Sequence, residues 1–143
     1  MGEDREEGGR SLTRRGRLVL WAPVLLLLVF EFYLSSRPAS AFPDIFHGVP
    51  QADKLEHAGY FLLTGFLAYR AGRYGERWSR SRAVTWIVLA AVAWGVSDEF
   101  HQSFVPTRSV EAADVAADVV GAFLGALAGE PLSRLLGLDR VRP

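Results

Sequence analysis

The sequence predicts an all-α fold, a four-helix transmembrane bundle with both termini in the cytoplasm. Three observations predict it: four apolar segments joined by polar connections, arginine concentrated in alternate connections, and acidic side chains collected at one end of the segments. Half of the 143 residues are hydrophobic. Because that fraction is only slightly above the value for a soluble domain, the distribution along the chain carries the prediction.

The apolar segments run from Leu18 to Leu34, Leu55 to Ala71, Ala83 to Val96 and Ala112 to Ala128, and the third continues into a polar string. At about 1.5 Å per residue, the first nearly spans a hydrocarbon core of about 30 Å. Helices of a soluble bundle would carry a charged face. The first and third segments have almost none, so we predict four membrane helices.

The orientation follows from the basic residues. Five precede the first segment, two lie in the first connection, five in the second, one in the third and three after Gly129. The positive-inside rule therefore places both termini in the cytoplasm and the polar strings outside. We predict a flexible tail over residues 1–17, a membrane domain over 18–129 and a second cytoplasmic tail over 130–143. A signal peptide cleaved after residues 39–41 is the competing interpretation, but Arg37 and Pro38 separate that site from the apolar run.

Composition excludes several classes of protein. Sixteen basic residues balance sixteen acidic ones, unlike a uniformly basic nucleic-acid binder, so we predict no nucleic-acid partner. The chain has no cysteine, which excludes disulfides, thiolate nucleophiles and cysteine-based metal centres. Lys54 is the single lysine, so its position at the start of the second segment is notable.

Ionisable and hydrogen-bonding side chains recur at helical spacing where segments two, three and four meet the predicted outer surface. We expect Asp98, Glu99 and Asp114 to converge with His57 in one outward-facing pocket. Desolvating so many charges is costly even when they are paired, which favours a function over a purely structural network. The candidate functional cluster comprises Asp53, Lys54, His57, Tyr60, Asp98, Glu99, His101, Gln102, Arg108, Asp114 and Asp118.

On the fourth segment, Asp114, Asp118, Gly121, Gly125 and Gly129 share one face. Glycines at this spacing allow helix backbones to approach closely, and carboxylates avoid lipid. This face is therefore predicted to contact other helices, within the bundle or between copies.

The connection before the fourth segment carries a lone basic residue, Arg108. Two roles are open for it: compensation of the five nearby carboxylates, or a bond to an anionic group through its planar guanidinium. Ser109 is predicted to cap the fourth helix, with Glu111 in the first turn.

Two strings, Asp53 to Tyr60 and Ser97 to Ser109, followed by Asp114 and by Asp118 leading into a glycine, resemble the VanZ-like family over residues 18–129. The family is named for a protein linked to teicoplanin resistance. The resemblance implies four membrane helices in a bacterial cell membrane and an envelope-related context, but no reaction. Thr107 stands where the family usually has glycine, and Arg37 where glutamine is frequent, which puts the loop shape in question.

The first functional hypothesis is a membrane protein that binds a lipid head group, a cell-wall precursor or an ion in the outer pocket. Membrane lipids are then its partners. Arg108 and Lys54 would meet the anionic part of the ligand, while His57, Gln102 and Tyr60 would orient it by hydrogen bonds.

The second hypothesis is an enzyme acting on an envelope lipid, with Glu99 or Asp98 as general base, His57 or His101 as acid and Arg108 stabilising developing charge. The third is a proton- or ion-linked transporter, although no continuous polar path is visible. The acids and His57 could also hold a divalent metal, but such helical pairs are common without one, so we predict neither metal nor cofactor.

Overall fold

The computed structural model describes residues 12–41 and 51–139, and the secondary structure in these ranges is helical throughout. The helices are α1 (Arg14–Ser35), α2 (Ala52–Arg70), α3 (Arg80–Gln102) and α4 (Ala112–Leu135). A 3-10 turn (Ala39–Ala41) follows α1, and a π-helical turn (Ala71–Gly75) extends α2. The all-α class is confirmed. Residues 1–11 and 140–143 of the two predicted tails lie outside the described residues, whereas α1 begins within the first predicted tail and α4 continues into the second.

Three of these helices, α1, α3 and α4, are long and apolar enough to cross a membrane. Their outward faces expose large apolar side chains, as Leu26 on α1 and Phe123 on α4 illustrate. Water would disfavour such a surface, and lipid suits it. By the same criterion α2 falls short, because Asp53, Lys54 and Glu56 interrupt its first two turns.

Consecutive helices run in opposite directions, which gives the bundle two chemically different ends. We call the polar end the one where α1 and α3 finish and α2 and α4 begin. There, Ser36 Oγ lies 3.0 Å from His101 Nε2. At the opposite, arginine-rich end, Arg17 Nη1 lies 3.4 Å from Glu76 Oε2. Helix α1 begins at this arginine-rich end with Arg14, and α4 ends there with Leu135.

The tightest packing is between α2 and α4, and it depends on glycine. A Cβ atom added at Gly121 would fall on the carbonyl oxygen of Ala58, and one added at Gly125 on the carbonyl oxygen of Leu62. At Gly129, an added Cβ would meet the ring of Tyr69, a residue that is completely buried. The glycine stripe therefore contacts a helix of the same bundle. Gly121 and Gly125 allow near backbone contact, and Gly129 makes room for the Tyr69 ring.

The start of α4 differs from the prediction. Its N-cap is Glu111 rather than Ser109, and Ser109 Oγ donates instead to Glu111 Oε1 at 3.0 Å. The reason is a tertiary contact, since the Glu111 backbone N–H donates to Glu99 Oε2 at 2.6 Å. That carboxylate from α3 fixes where α4 begins.

The end of α4 lies six residues beyond Gly129, because the helix continues through Pro131. Tyr69 Oη donates to Glu130 Oε2 at 3.2 Å, so this last turn is held against α2. Gly137, with φ of 64°, then ends the helix in the left-handed conformation typical of a C-terminal glycine.

Thr107 adopts φ of 69° in the connection between α3 and α4. This left-handed backbone explains why glycine suits the position, since a β-branched residue is strained there. We expect Thr107→Gly to raise the free energy of unfolding by about 1 kcal/mol, the low end of the cost of such strain, because glycine also gains freedom in the unfolded chain. Thermal unfolding in detergent measures the change.

The reciprocal control is Gly137→Ala, at a position of similar φ where an added Cβ meets no atom within 4 Å. Backbone strain alone should make this variant less stable than the wild type. A Thr107→Gly variant that unfolds no later than the wild type would contradict the explanation.

Candidate functional site

At the polar end, Lys54 lies among carboxylates from two helices. Its Nζ atom is 2.6 Å from an oxygen of each of Asp53, Glu111 and Asp114. Asp53 is its neighbour in α2, whereas the other two lie at the start of α4. The ammonium therefore links the N-terminal ends of two helices. The helix dipoles stabilise acidic side chains at these ends and disfavour a basic one, so the three carboxylates stabilise Lys54 there.

Oxygens of the same three carboxylates lie within 4.8 Å of one another, a spacing that a metal ion could use. The Lys54 ammonium already supplies the positive charge at this point. Hydrogen bonds from Lys54 and then from Ser109 lower the pKa of the Glu111 side chain below its ordinary 4.5. The group is thus a charged cluster built around lysine.

One helical turn further along α2, His57 pairs with Asp118. The His57 Nδ1 atom lies 2.8 Å from Asp118 Oδ1, and only 3% of Asp118 is exposed. A carboxylate bonded to one ring nitrogen fixes the tautomer and the orientation of an imidazole. The pair therefore presents the remaining ring nitrogen of His57 in a defined direction.

The acids of α3 are also buried. Gln102 Nε2 donates to Asp98 Oδ2 at 2.6 Å, and the other Asp98 oxygen has no hydrogen-bond partner among the described residues. Asp98, Glu99 and Asp114 are 5%, 7% and 8% exposed, so all three are buried within the bundle and none faces the surrounding lipid. Glu99 is linked to Asp114 through Glu111, whose backbone N–H donates to Glu99 and whose side chain binds Lys54 together with Asp114.

The sequence-based cluster omits Glu31, the one charged residue within the apolar run of α1. Glu31 is 9% exposed, and its Oε2 atom accepts a hydrogen bond of 2.5 Å from Trp94 Nε1. The charges of Asp98 and Asp118 act on it, together with that of His57. A lone acid in an otherwise apolar membrane segment is the signal that could have identified it.

Three of these residues, Glu31, His57 and Gln102, line a cavity of about 370 Å³ between α1, α2 and α3. Ser35, 4% exposed, contributes a hydroxyl that has no hydrogen-bond partner among the described residues. Asp98, Glu99, Asp114 and Asp118 are not among the lining residues. We call this space the polar cavity, and its lining consists of Glu31, Leu34, Ser35, Glu56, His57, Tyr60, Phe61, Gln102 and Arg108.

Arg108 bonds to the backbone at the end of α1, a contact that neither of its two predicted roles included. Its Nε atom donates to the carbonyl oxygen of Arg37 at 2.9 Å, and its Nη2 atom donates to that of Leu34 at 3.0 Å. Both acceptors lie at the end of α1, where helix carbonyls lack intrahelical donors. The loop between α3 and α4 is thereby tied to α1, and the guanidinium is oriented at the edge of the polar cavity.

Two other predicted residues also bind α1. Tyr60 Oη donates to the carbonyl oxygen of Leu27, and His101 Nε2 lies 3.0 Å from Ser36 Oγ. The His101 ring also packs on Phe32, with ring centroids 4.5 Å apart. Of the predicted cluster, His57, Tyr60, Gln102 and Arg108 line the polar cavity, and the other seven residues do not.

Comparison with known proteins identifies the family. A family model described as VanZ/LLP1 matches residues 20–130, a range that contains the whole candidate functional cluster. No curated protein matches the chain significantly, and no solved structure does.

Proposed function

This chain belongs to the VanZ/LLP1 family, and from that premise we propose that it binds the head group of an envelope lipid, or of a lipid-linked cell-wall precursor, in the polar cavity. The proposal places it in the bacterial cell membrane, spanning it four times with both termini in the cytoplasm. Helix α2, with 19 residues, is about 28 Å long. An envelope ligand also suits the glycopeptide-resistance context that the family name implies.

The orientation in this proposal rests on arginine. The described start of α1, the turn between α2 and α3 and the end of α4 all lie at the arginine-rich end of the bundle. Cytoplasmic connections carry such an excess of basic residues. The polar cavity then opens near the outer surface, where the head groups of envelope lipids are found.

The observation that carries the proposal is the convergence of unlike polar groups on one cavity. Arg108 is oriented at its edge, while Glu31 and Glu56 line it from two helices. The buried Ser35 hydroxyl, without a hydrogen-bond partner among the described residues, is a group that a ligand would satisfy. Lys54 is outside the lining, so Arg108 takes the anionic part of the ligand in this proposal.

A head group with both charges suits this lining best. A phosphate would meet Arg108, whose guanidinium matches its geometry. An amine or hydroxyl of the same head group would donate to the carboxylates of Glu31 and Glu56. His57, held by Asp118, would orient the bound group through its second ring nitrogen.

Native mass spectrometry of the purified full chain with endogenous lipids tests the proposal. We expect the wild type to retain a lipid-sized adduct, and Arg108→Ala to reduce it about tenfold or more, since a hydrogen bond to a charged group contributes about 1.5–3 kcal/mol. Arg108→Gln should reduce it as well, because glutamine keeps donors but loses the charge.

Arg80→Ala is the matched control, because Arg80 is an exposed arginine at the opposite end of the bundle. It should retain the adduct at the wild-type level. An adduct equally abundant in all four proteins would overturn the proposal, as would a wild type without any adduct. Thermal unfolding of each variant separates loss of binding from loss of folding.

A second candidate function, an enzyme acting on an envelope lipid, is favoured by one observation. His57 lines the cavity and Asp118 binds its Nδ1 atom from behind, which is the arrangement of a carboxylate-oriented general base. The same spectra discriminate the two functions. Binding leaves the mass of an added lipid unchanged, whereas an enzyme would convert it to a product of different mass during incubation.

A further inference from the structure

A second cavity, of about 280 Å³, lies between the same three helices and is almost entirely apolar. We call it the apolar cavity. Its lining includes aliphatic side chains such as Val24 and Ile87, small residues such as Ala90 and Gly65, and all four tryptophans of the chain, which are Trp21, Trp78, Trp86 and Trp94.

The two cavities adjoin each other. Phe61, a buried residue of α2, lines both of them. The hydrogen bond from Trp94 to Glu31 joins a wall of the apolar cavity to a wall of the polar one. The boundary between them therefore consists of one aromatic ring and one hydrogen-bonded pair.

A single face of α1 lines both cavities. Trp21, Val24 and Leu28 line the apolar cavity, and Glu31 and Ser35 line the polar one. Successive members are three or four residues apart, so they lie along one stripe of the helix. The stripe runs from Trp21 to Ser35, which is about 21 Å along the helix axis.

The two other walls change character at the same level. On α2, Thr64 and Ala68 line the apolar cavity and His57 the polar one. On α3, Ala91 lines the apolar cavity and Gln102 lines the polar one. Three helices thus line two adjoining cavities, a polar one near one end of the bundle and an apolar one towards its middle.

Two polar side chains along the apolar cavity are bonded within the protein. Thr64 Oγ1 donates to the carbonyl oxygen of Tyr60 at 3.1 Å, and Trp21 Nε1 donates to Glu76 Oε1 at 3.2 Å. Since the lining is almost entirely apolar, an occupant of this space is recognised mainly by apolar contact. A peptide would bring backbone groups that find no partner there.

We propose that the apolar cavity holds an acyl chain of the lipid whose head group occupies the polar cavity, so that the cleft is one site for an amphiphile. This inference rests on the proposed function for the head group and adds the class of its tail. A membrane lipid is such a molecule, because its head group is followed by its acyl chains just as the polar cavity is followed by the apolar cavity.

Tryptophan fluorescence tests the proposal directly, because every tryptophan of the chain lines the apolar cavity. The probe is a phosphatidylethanolamine with one dibrominated acyl chain, which quenches a nearby indole, titrated into the purified full chain in detergent. We expect saturable quenching in the wild type. A short-chain lipid with the same head group should compete at least about tenfold more weakly than a long-chain one, since each methylene withdrawn from the cavity weakens binding by about fourfold.

The variant is Ala90→Phe, whose ring would fill the apolar cavity, and the control is Ala93→Phe, an exposed alanine of the same helix outside the lining. We expect Ala90→Phe to lose saturable quenching and the preference for long chains while it still binds the short-chain lipid by mass spectrometry. Ala93→Phe should resemble the wild type.

Equal binding of short and long chains by the wild type would overturn the acyl-chain site and leave the head-group site standing. Equal quenching in Ala90→Phe and Ala93→Phe would also overturn the acyl-chain site and leave the head-group site standing. Absence of binding for both lipids would overturn the proposed function and this inference together. The three results are distinguishable because the mass measurement reports the head group and the fluorescence measurement reports the chain.

Discussion

Gly125→Ala is expected to lower the free energy of unfolding by about 2 kcal/mol, although alanine is the better helix former. The added Cβ would fall on the carbonyl oxygen of Leu62 and would lie closer to the Phe66 backbone nitrogen than van der Waals contact allows. Two helix backbones would have to separate, which costs about 3 kcal/mol at the upper end for overpacking, offset by about 1 kcal/mol of helix propensity.

Gly59→Ala is the matched control, because Gly59 likewise lies within a helix, α2, and an added Cβ there meets no atom within 4 Å. It should raise the free energy of unfolding by about 1 kcal/mol through helix propensity alone. Unfolding in mixtures of dodecyl maltoside and dodecyl sulfate, followed by circular dichroism, compares the two variants. Equal midpoints would show that α2 and α4 are farther apart than the structure places them.

The helices could be predicted because their determinants are local. Apolar runs and polar connections locate α1 to α4 to within a few residues, and the glycine spacing identifies the close-packed face of α4. The end of α4 could not be predicted this way. Pro131 indicates a helix end locally, whereas the contact between Tyr69 and Glu130, 61 residues apart, holds the last turn in place.

The membership of the site was partly predictable, and its pairing was not. Periodicity shows that His57, Asp98 and Asp118 point into the bundle, but it leaves open which acid His57 contacts, because that depends on the order of the helices around the bundle. Glu31 could have been included as a lone acid in an apolar segment. Its partner Trp94 could not be predicted, because it lies two helices away. Arg108 carries a charge that suggests carboxylates as partners, yet the end of α1 offers it carbonyl oxygens.

Lys54→Met is expected to destabilise the bundle by about 2 kcal/mol, the second large effect. The substitution leaves the carboxylates of Asp53, Glu111 and Asp114 close together without the ammonium that lies 2.6 Å from each. Breaking a buried pair costs about 3–5 kcal/mol, and the partial exposure of this cluster reduces that figure. Replacing Asp114 by asparagine in the same variant should restore part of the loss, because it removes the most buried of the three charges.

Arg134→Met is the control for loss of a basic partner. Arg134 Nη2 lies 2.5 Å from Glu130 Oε1, but the arginine side chain is 68% exposed. An exposed pair of this kind contributes only about 0.3–0.5 kcal/mol. If the two variants unfold at the same detergent composition, Lys54 is a surface lysine and its cluster does not hold α2 to α4.

The effect of Lys54 should also depend on pH in a defined direction. Lys54 lowers the pKa of Glu111 below its ordinary 4.5 in the folded protein, so the contribution of this pair is fully present above pH 4.5. It is lost as the pH falls through the lowered pKa, because the carboxylate is then protonated in both states. The difference in stability between the wild type and Lys54→Met should therefore be constant at neutral pH and narrow below about pH 4.5. A difference that instead widens on acidification would show that the ammonium is not the group that holds these carboxylates together.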